Sequence, residues 1–70
     1  MNIYAKKEYF VRTSLKELLL SIDDSILDVY YKYQDGEEIV TIIFATYLTY
    51  EVCVTGDSLL SIAKDVLKNM

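Results

Sequence analysis

Between Ile26 and Val54 apolar residues recur at every second position, at Leu27, Val29 and Tyr31 and again at Val40, Ile42 and Phe44, the period of strands. Ile26–Gln34 and the run from Glu37 flank Asp35-Gly36, a pair that tolerates positive φ at both central positions of a two-residue hairpin turn. Setting Gln34 opposite Glu37 places Tyr31 opposite Val40, Val29 opposite Ile42 and Leu27 opposite Phe44, six apolar residues on one face. The other face pairs Tyr30 with Thr41, Lys32 with Ile39, Asp28 with Ile43 and Ile26 with Ala45, and is mixed rather than polar.

Glu38–Val54 contains no Gly, Pro, Asn or Ser to mark a reversal. A single strand of that length would extend over roughly 55 Å at about 3.3 Å per residue, whereas a compact chain of this size has a radius of gyration near ~11 Å. The segment is therefore expected to fold back around Thr46 to Thr49, with Tyr50–Val54 as a third strand; the rival is a long strand shared with a second subunit. Val40, Ile42, Phe44, Leu48, Tyr50, Val52 and Val54 are all even-numbered, so the core-facing parity survives the reversal. A two-residue loop would switch it, so the pattern predicts a three-residue connection or a bulged bend.

Helical spacing appears at two places. Ser14 and Glu17 fit a capping box, and Leu15, Leu18, Leu19 and Ile22 follow, predicting a helix of about two turns that ends near Asp23-Asp24-Ser25. After Thr55-Gly56-Asp57-Ser58, Leu59, Ile62, Ala63, Val66, Leu67 and Met70 form one stripe of a second helix, with Lys64, Asp65 and Lys68 on its solvated side. Tyr9-Phe10-Val11 reads as a short N-terminal edge strand, or as a segment folding over the mixed sheet face. The expected fold is one α+β domain over residues 1–70, a two-layer sandwich of helix, three-stranded antiparallel sheet and helix, both helices on the even face.

Composition narrows the function. Apolar residues make up 53% of the 70, which excludes intrinsic disorder, and Ile39–Tyr50, the longest uncharged run, falls short of a membrane span. Charges near the N-terminus leave no room for a secretory signal, so a cytoplasmic location is expected. With Cys53 alone and no histidine, neither an intrachain disulfide nor the usual zinc arrangements are available. Asp23-Asp24 and Glu37-Glu38 are the adjacent carboxylate pairs, better explained as a helix-ending turn and a solvated hairpin shoulder than as acid–base catalysts. Cys53 has no histidine to activate it, and Gly36 and Gly56 lie too far apart for a phosphate loop. The expectation is no enzyme and no cofactor.

A contiguous patch of Tyr30, Ile39, Thr41, Ile43 and Tyr47 on the odd side of the second strand marks an expected interface. The order helix, three strands, helix resembles the double-stranded RNA-binding domain from about Ser14 to Met70. That family carries a lysine cluster after a glycine and serine; here Gly56-Asp57-Ser58 is followed by Leu59-Leu60, and a net charge of −4 opposes phosphate binding. In size, charge and layout the chain also resembles the small anti-CRISPR inhibitors of Cas9 found in phages and mobile elements. That resemblance implies that Asp23, Asp24, Asp28, Asp35, Glu37, Glu38, and with them Glu51 and Asp57, mimic phosphates toward a basic DNA-binding channel in a bacterial host cell. Tyr30, Tyr33 and Tyr47 would anchor the complex. The alternative is a homodimerising module that associates through the Tyr/Ile face.

Overall fold

The computed structural model describes residues 2–70. Two helical stretches, α1 (Ile3–Phe10) and α2 (Lys16–Ile22), are joined by a π-helical turn over Val11–Leu15, so that one long helix precedes the sheet. Strands β1 (Ile26–Gln34), β2 (Glu37–Phe44) and β3 (Thr49–Cys53) form an antiparallel meander in that order, and α3 (Leu59–Lys68) closes the chain. The α+β class and the single three-stranded sheet agree with the pattern in the sequence. No described helix is long and apolar enough to cross a membrane.

The first helix is much longer than its pattern suggested. It starts at Asn2, whose side-chain oxygen accepts the Ala5 N–H at 2.7 Å, and not at Ser14, which lies inside the π turn. Tyr9, Phe10 and Val11 are helical, so there is neither an N-terminal edge strand nor a flap over the sheet. The buried stripe is Lys7, Val11, Leu15 and Leu19, at steps of four; Leu18 and Ile22 are exposed. Twelve residues of regular helix from Lys7 to Leu19 would drift by about 120° at about 100° per residue. A π turn absorbs one extra residue and cuts that drift to roughly 20°, which returns Lys7 to the buried side. The helix stops at Asp23, whose carboxylate accepts both the N–H and the hydroxyl of Ser25.

In the sheet, Gln34 pairs with Glu37, Tyr31 with Val40 and Val29 with Ile42, across a turn in which Asp35 and Gly36 both have positive φ. The register slips beyond Asp28: Ile26, and not Leu27, lies opposite Phe44, so Leu27 bulges out and is exposed. The reversal between β2 and β3 is a three-residue loop, Ala45-Thr46-Tyr47. Tyr47 N–H donates to Phe44 O at 2.8 Å, Phe44 N–H donates to Leu48 O at 2.9 Å, and Tyr47 sits at φ 65°. The odd-length connection keeps Val40 opposite Val52 and Ile42 opposite Tyr50, as parity required.

One core gathers Val11, Leu15 and Leu19 from the first helix, Val29 and Tyr31 from β1, Val40 and Ile42 from β2, Val52 and Val54, and Ile62 and Val66 from α3. Both helical layers therefore lie on the same face of the sheet. Ser58 caps α3 by accepting the Ser61 N–H at 3.2 Å, while Leu67 and Met70, at the end of the expected stripe, remain exposed. The radius of gyration is 11.3 Å and the longest dimension 32 Å, well short of a seventeen-residue strand.

Candidate binding surface

With both helices on one face, the opposite face of the sheet carries no covering layer among the described residues. Its rows follow from the register: Asp28, Ile43 and Thr49; then Tyr30, Thr41 and Glu51; then Lys32, Ile39 and Cys53; then Gln34 and Glu37 at the hairpin end. Tyr30, Ile39 and Ile43 are half-buried by their neighbours, and Thr41 at the centre is only 4% exposed, so Thr41 is a floor of this face and not a contact on it. Carboxylates border the apolar centre at Asp28, Glu37 and Glu51, against one cation, Lys32. Asp28 is partly engaged: Lys16 reaches it at 3.1 Å and its oxygen accepts the Val29 N–H, and the Lys16 bond, opposed by some burial, holds its carboxyl below the usual range.

Other expected contact residues lie elsewhere. Glu38 is 4% exposed and has even parity, which turns it to the core side; it is no solvated shoulder. Its Oε1 accepts from Lys7 Nζ at 2.6 Å and from the Tyr31 hydroxyl at 2.7 Å, and its Oε2 accepts the Gly56 N–H at 2.8 Å. Thr55 Oγ1 accepts the Glu38 N–H at 3.0 Å. Burial alone would push Glu38 up, but the bonds from Lys7, Gly56 and Tyr31 outweigh it and hold the carboxyl below 4.5. This cluster ties the first helix, the β1–β2 hairpin and the loop before α3 together. It cannot mimic a phosphate, because its charge is neutralised internally. The sequence carries only half of this signal: Glu38 shares the even parity of Val40 and Ile42, but nothing in the pattern pairs it with Lys7, which reaches the core through the π turn.

Tyr33 likewise belongs to the helix side, stacked on Tyr4 with ring centroids 3.9 Å apart, and does not join Tyr30 on the open face. Asp23 serves the helix-ending turn, where its bonds from Ser25 lower its pKa. Asp24, Asp35 and Glu37 are exposed. Tyr47 projects from the end of the sheet, 83% exposed, in a left-handed conformation that is uncommon for a bulky residue. Asp57 stands apart from the other acids: the facing Asp65 carboxyl and burial push its pKa up, and its Oδ2 has no partner among the described residues.

A second concave region, about 550 Å³ and wide open, runs between α1 and the outer edge of β1 and is lined by Tyr4, Ala5, Glu8, Arg12 and Tyr30 to Tyr33. Sequence patterning gave no hint of it, because it depends on the length of the first helix. Comparisons of the chain with protein-family models, with curated proteins and with solved structures find no match.

Proposed function

We propose that this is a small non-enzymatic binding protein whose open sheet face occupies a basic surface, such as the nucleic-acid-binding channel of a processing effector of the Cas9 kind. The observation that carries the reading is the placement of both helical layers on one side, which leaves Tyr30, Ile39 and Ile43 uncovered within a border of Asp28, Glu37 and Glu51. An apolar centre supplies desolvated contact area and the carboxylate border supplies steering toward Arg and Lys. The net charge of −4 works in the same direction.

The test is a pull-down from bacterial lysate at low and high salt, followed by titration of the purified partner with the Glu37→Lys/Glu51→Lys variant. Both residues are exposed, so the fold is expected to survive, which circular dichroism of the variant checks. Binding is expected to fall at least tenfold, about 1.4 kcal/mol, and to weaken with salt; unchanged affinity refutes the acidic-mimic reading. A second reading, self-association, is favoured by the presence of Lys32 and Glu51 on the same face, since a two-fold arrangement can set each against the other. It predicts a dimer by light scattering that Ile43→Glu dissociates, and a monomer at high micromolar concentration removes it.

A further inference from the structure

β1 is an edge strand whose outer side is not fully protected. In a two-residue hairpin the pair flanking the turn is hydrogen-bonded, so Gln34, Lys32 and Tyr30 spend their backbone groups on β2, while Tyr33, Tyr31 and Val29 point theirs outward. The Val29 N–H is capped by its neighbour Asp28, which Lys16 pins in place. Among the described residues, nothing does the same for Tyr31 or Tyr33. The groove beside α1 lies at this stretch: four consecutive residues, Tyr30 to Tyr33, line it, and side chains of both parities meet in one groove only at a strand edge. Their length, about 13 Å, accommodates about four residues of another strand.

The charges choose the occupant. Arg12 and Lys32 line the groove and are exposed, and among the described residues the ion pairs are Lys7–Glu38 and Lys16–Asp28, so neither is engaged; Glu8 is the single acid lining it. A second copy of β1 would bring Lys32 toward its own counterpart, and a lysine in an edge strand opposes self-pairing. The other edge, β3, carries Glu51 and no cation. We propose that the β1 edge takes an extended, carboxylate-bearing peptide segment of a partner protein as a fourth strand, its backbone bonded to Tyr31 and Tyr33 and its acidic side chains directed to Arg12 and Lys32. This surface adjoins the open sheet face, sharing Tyr30 and Lys32 with it, but its backbone donors and Arg12 lie outside that face, and it does not depend on the function proposed for it.

The probes are eight-residue peptides alternating valine with glutamate, the matched peptide alternating valine with lysine, and the glutamate peptide methylated on alternate amide nitrogens. Titration into the ¹⁵N-labelled protein is expected to shift the amides of Tyr31 and Tyr33 with the glutamate peptide, and to leave them unmoved with the other two. Arg12→Glu, a change at an exposed residue outside β1, is expected to weaken binding about tenfold, or about 1.4 kcal/mol, while the β1–β2 amide pattern of the free protein stays that of the wild type. The proposal is overturned by equal binding of the lysine peptide, by shifts centred on Thr49–Cys53 instead, by no shift at millimolar peptide, or by a concentration-dependent dimer whose β1 amides shift without peptide.

Discussion

Removing Lys7 tests whether the buried cluster holds the fold together. Lys7→Met keeps an apolar stem at the buried position and removes the ammonium, leaving Glu38, 4% exposed, with the Tyr31 hydroxyl and the Gly56 N–H as its side-chain partners. Breaking a buried pair by removing one partner costs about 3–5 kcal/mol, because a charge remains in low dielectric without its counterion. Two surviving hydrogen bonds place the expected loss near the lower end, ~3 kcal/mol. A 70-residue domain has roughly 3.5–10 kcal/mol in total, so a third or more of the stability is at stake. The midpoint of thermal unfolding should fall by about 12–24 °C, at roughly 4–8 °C per kcal/mol for a domain this size. Thermal melting by circular dichroism measures the midpoint and urea titration the free energy, with Lys6→Ala, an exposed neighbour, as a control expected within about 0.5 kcal/mol. The pH dependence adds a second reading. In the wild type the Glu38 carboxyl is held below 4.5, so its contribution is present above the unfolded value and is lost as pH falls through the folded one. Without Lys7, burial dominates and the folded value rises, so the charge destabilises at neutral pH and acidification relieves it. The gap between wild type and variant should narrow as pH falls. A loss below about 1 kcal/mol, or a gap independent of pH, refutes the buried pair.

Tyr47→Gly relieves the left-handed conformation of the β2–β3 loop and should raise stability by about 1 kcal/mol, measurable as a higher urea midpoint; a lower midpoint contradicts the strain. Deleting Thr13 removes the extra residue of the π turn and leaves Lys7 and Leu19 on one stripe, so the variant should keep wild-type helicity and melt within a few degrees, while a collapse of stability would show that the turn does more than set phase. Asp65→Asn removes the carboxylate that raises Asp57. An acid with a raised folded pKa costs stability at neutral pH and loses that cost as pH falls toward 3.8, so the variant should be more stable at pH 7 and gain less on acidification; equal pH profiles would separate the two carboxyls.

The hairpin could be read from sequence because its determinants are local. Asp35-Gly36 sets the turn and alternation sets the faces, so the pairing from Gln34–Glu37 to Val29–Ile42 is recovered residue by residue. Even the glycine-free reversal yielded to parity. The same logic failed at Leu27, where the chain had to leave the helix and enter the sheet, and a bulge absorbed the mismatch. It failed more widely in the first helix. Tyr9-Phe10-Val11 has strand composition, and Thr13 and Ser14 look like a helix start, yet Thr13 donates its hydroxyl to Tyr9 O at 2.6 Å within a continuous helix. Tertiary burial of Val11, Leu15 and Leu19 overrode those preferences.

The candidate surfaces divide in the same way. Period-two alternation and the register set by Asp35-Gly36 together determined that Tyr30, Ile39 and Ile43 share a face. Which face the two helices would cover was also legible from the even parity of Val40, Ile42 and Val52, but only the helical state of Tyr9-Phe10-Val11 decided that no segment folds over the other face. Only the tertiary structure decided that Glu38 is a buried strut and not a surface acid, because its charge is satisfied by a lysine 31 residues away that the π turn swings inward. It alone decided the groove at the β1 edge as well, which exists because a long helix lies beside a strand edge with nothing in sequence to specify that distance.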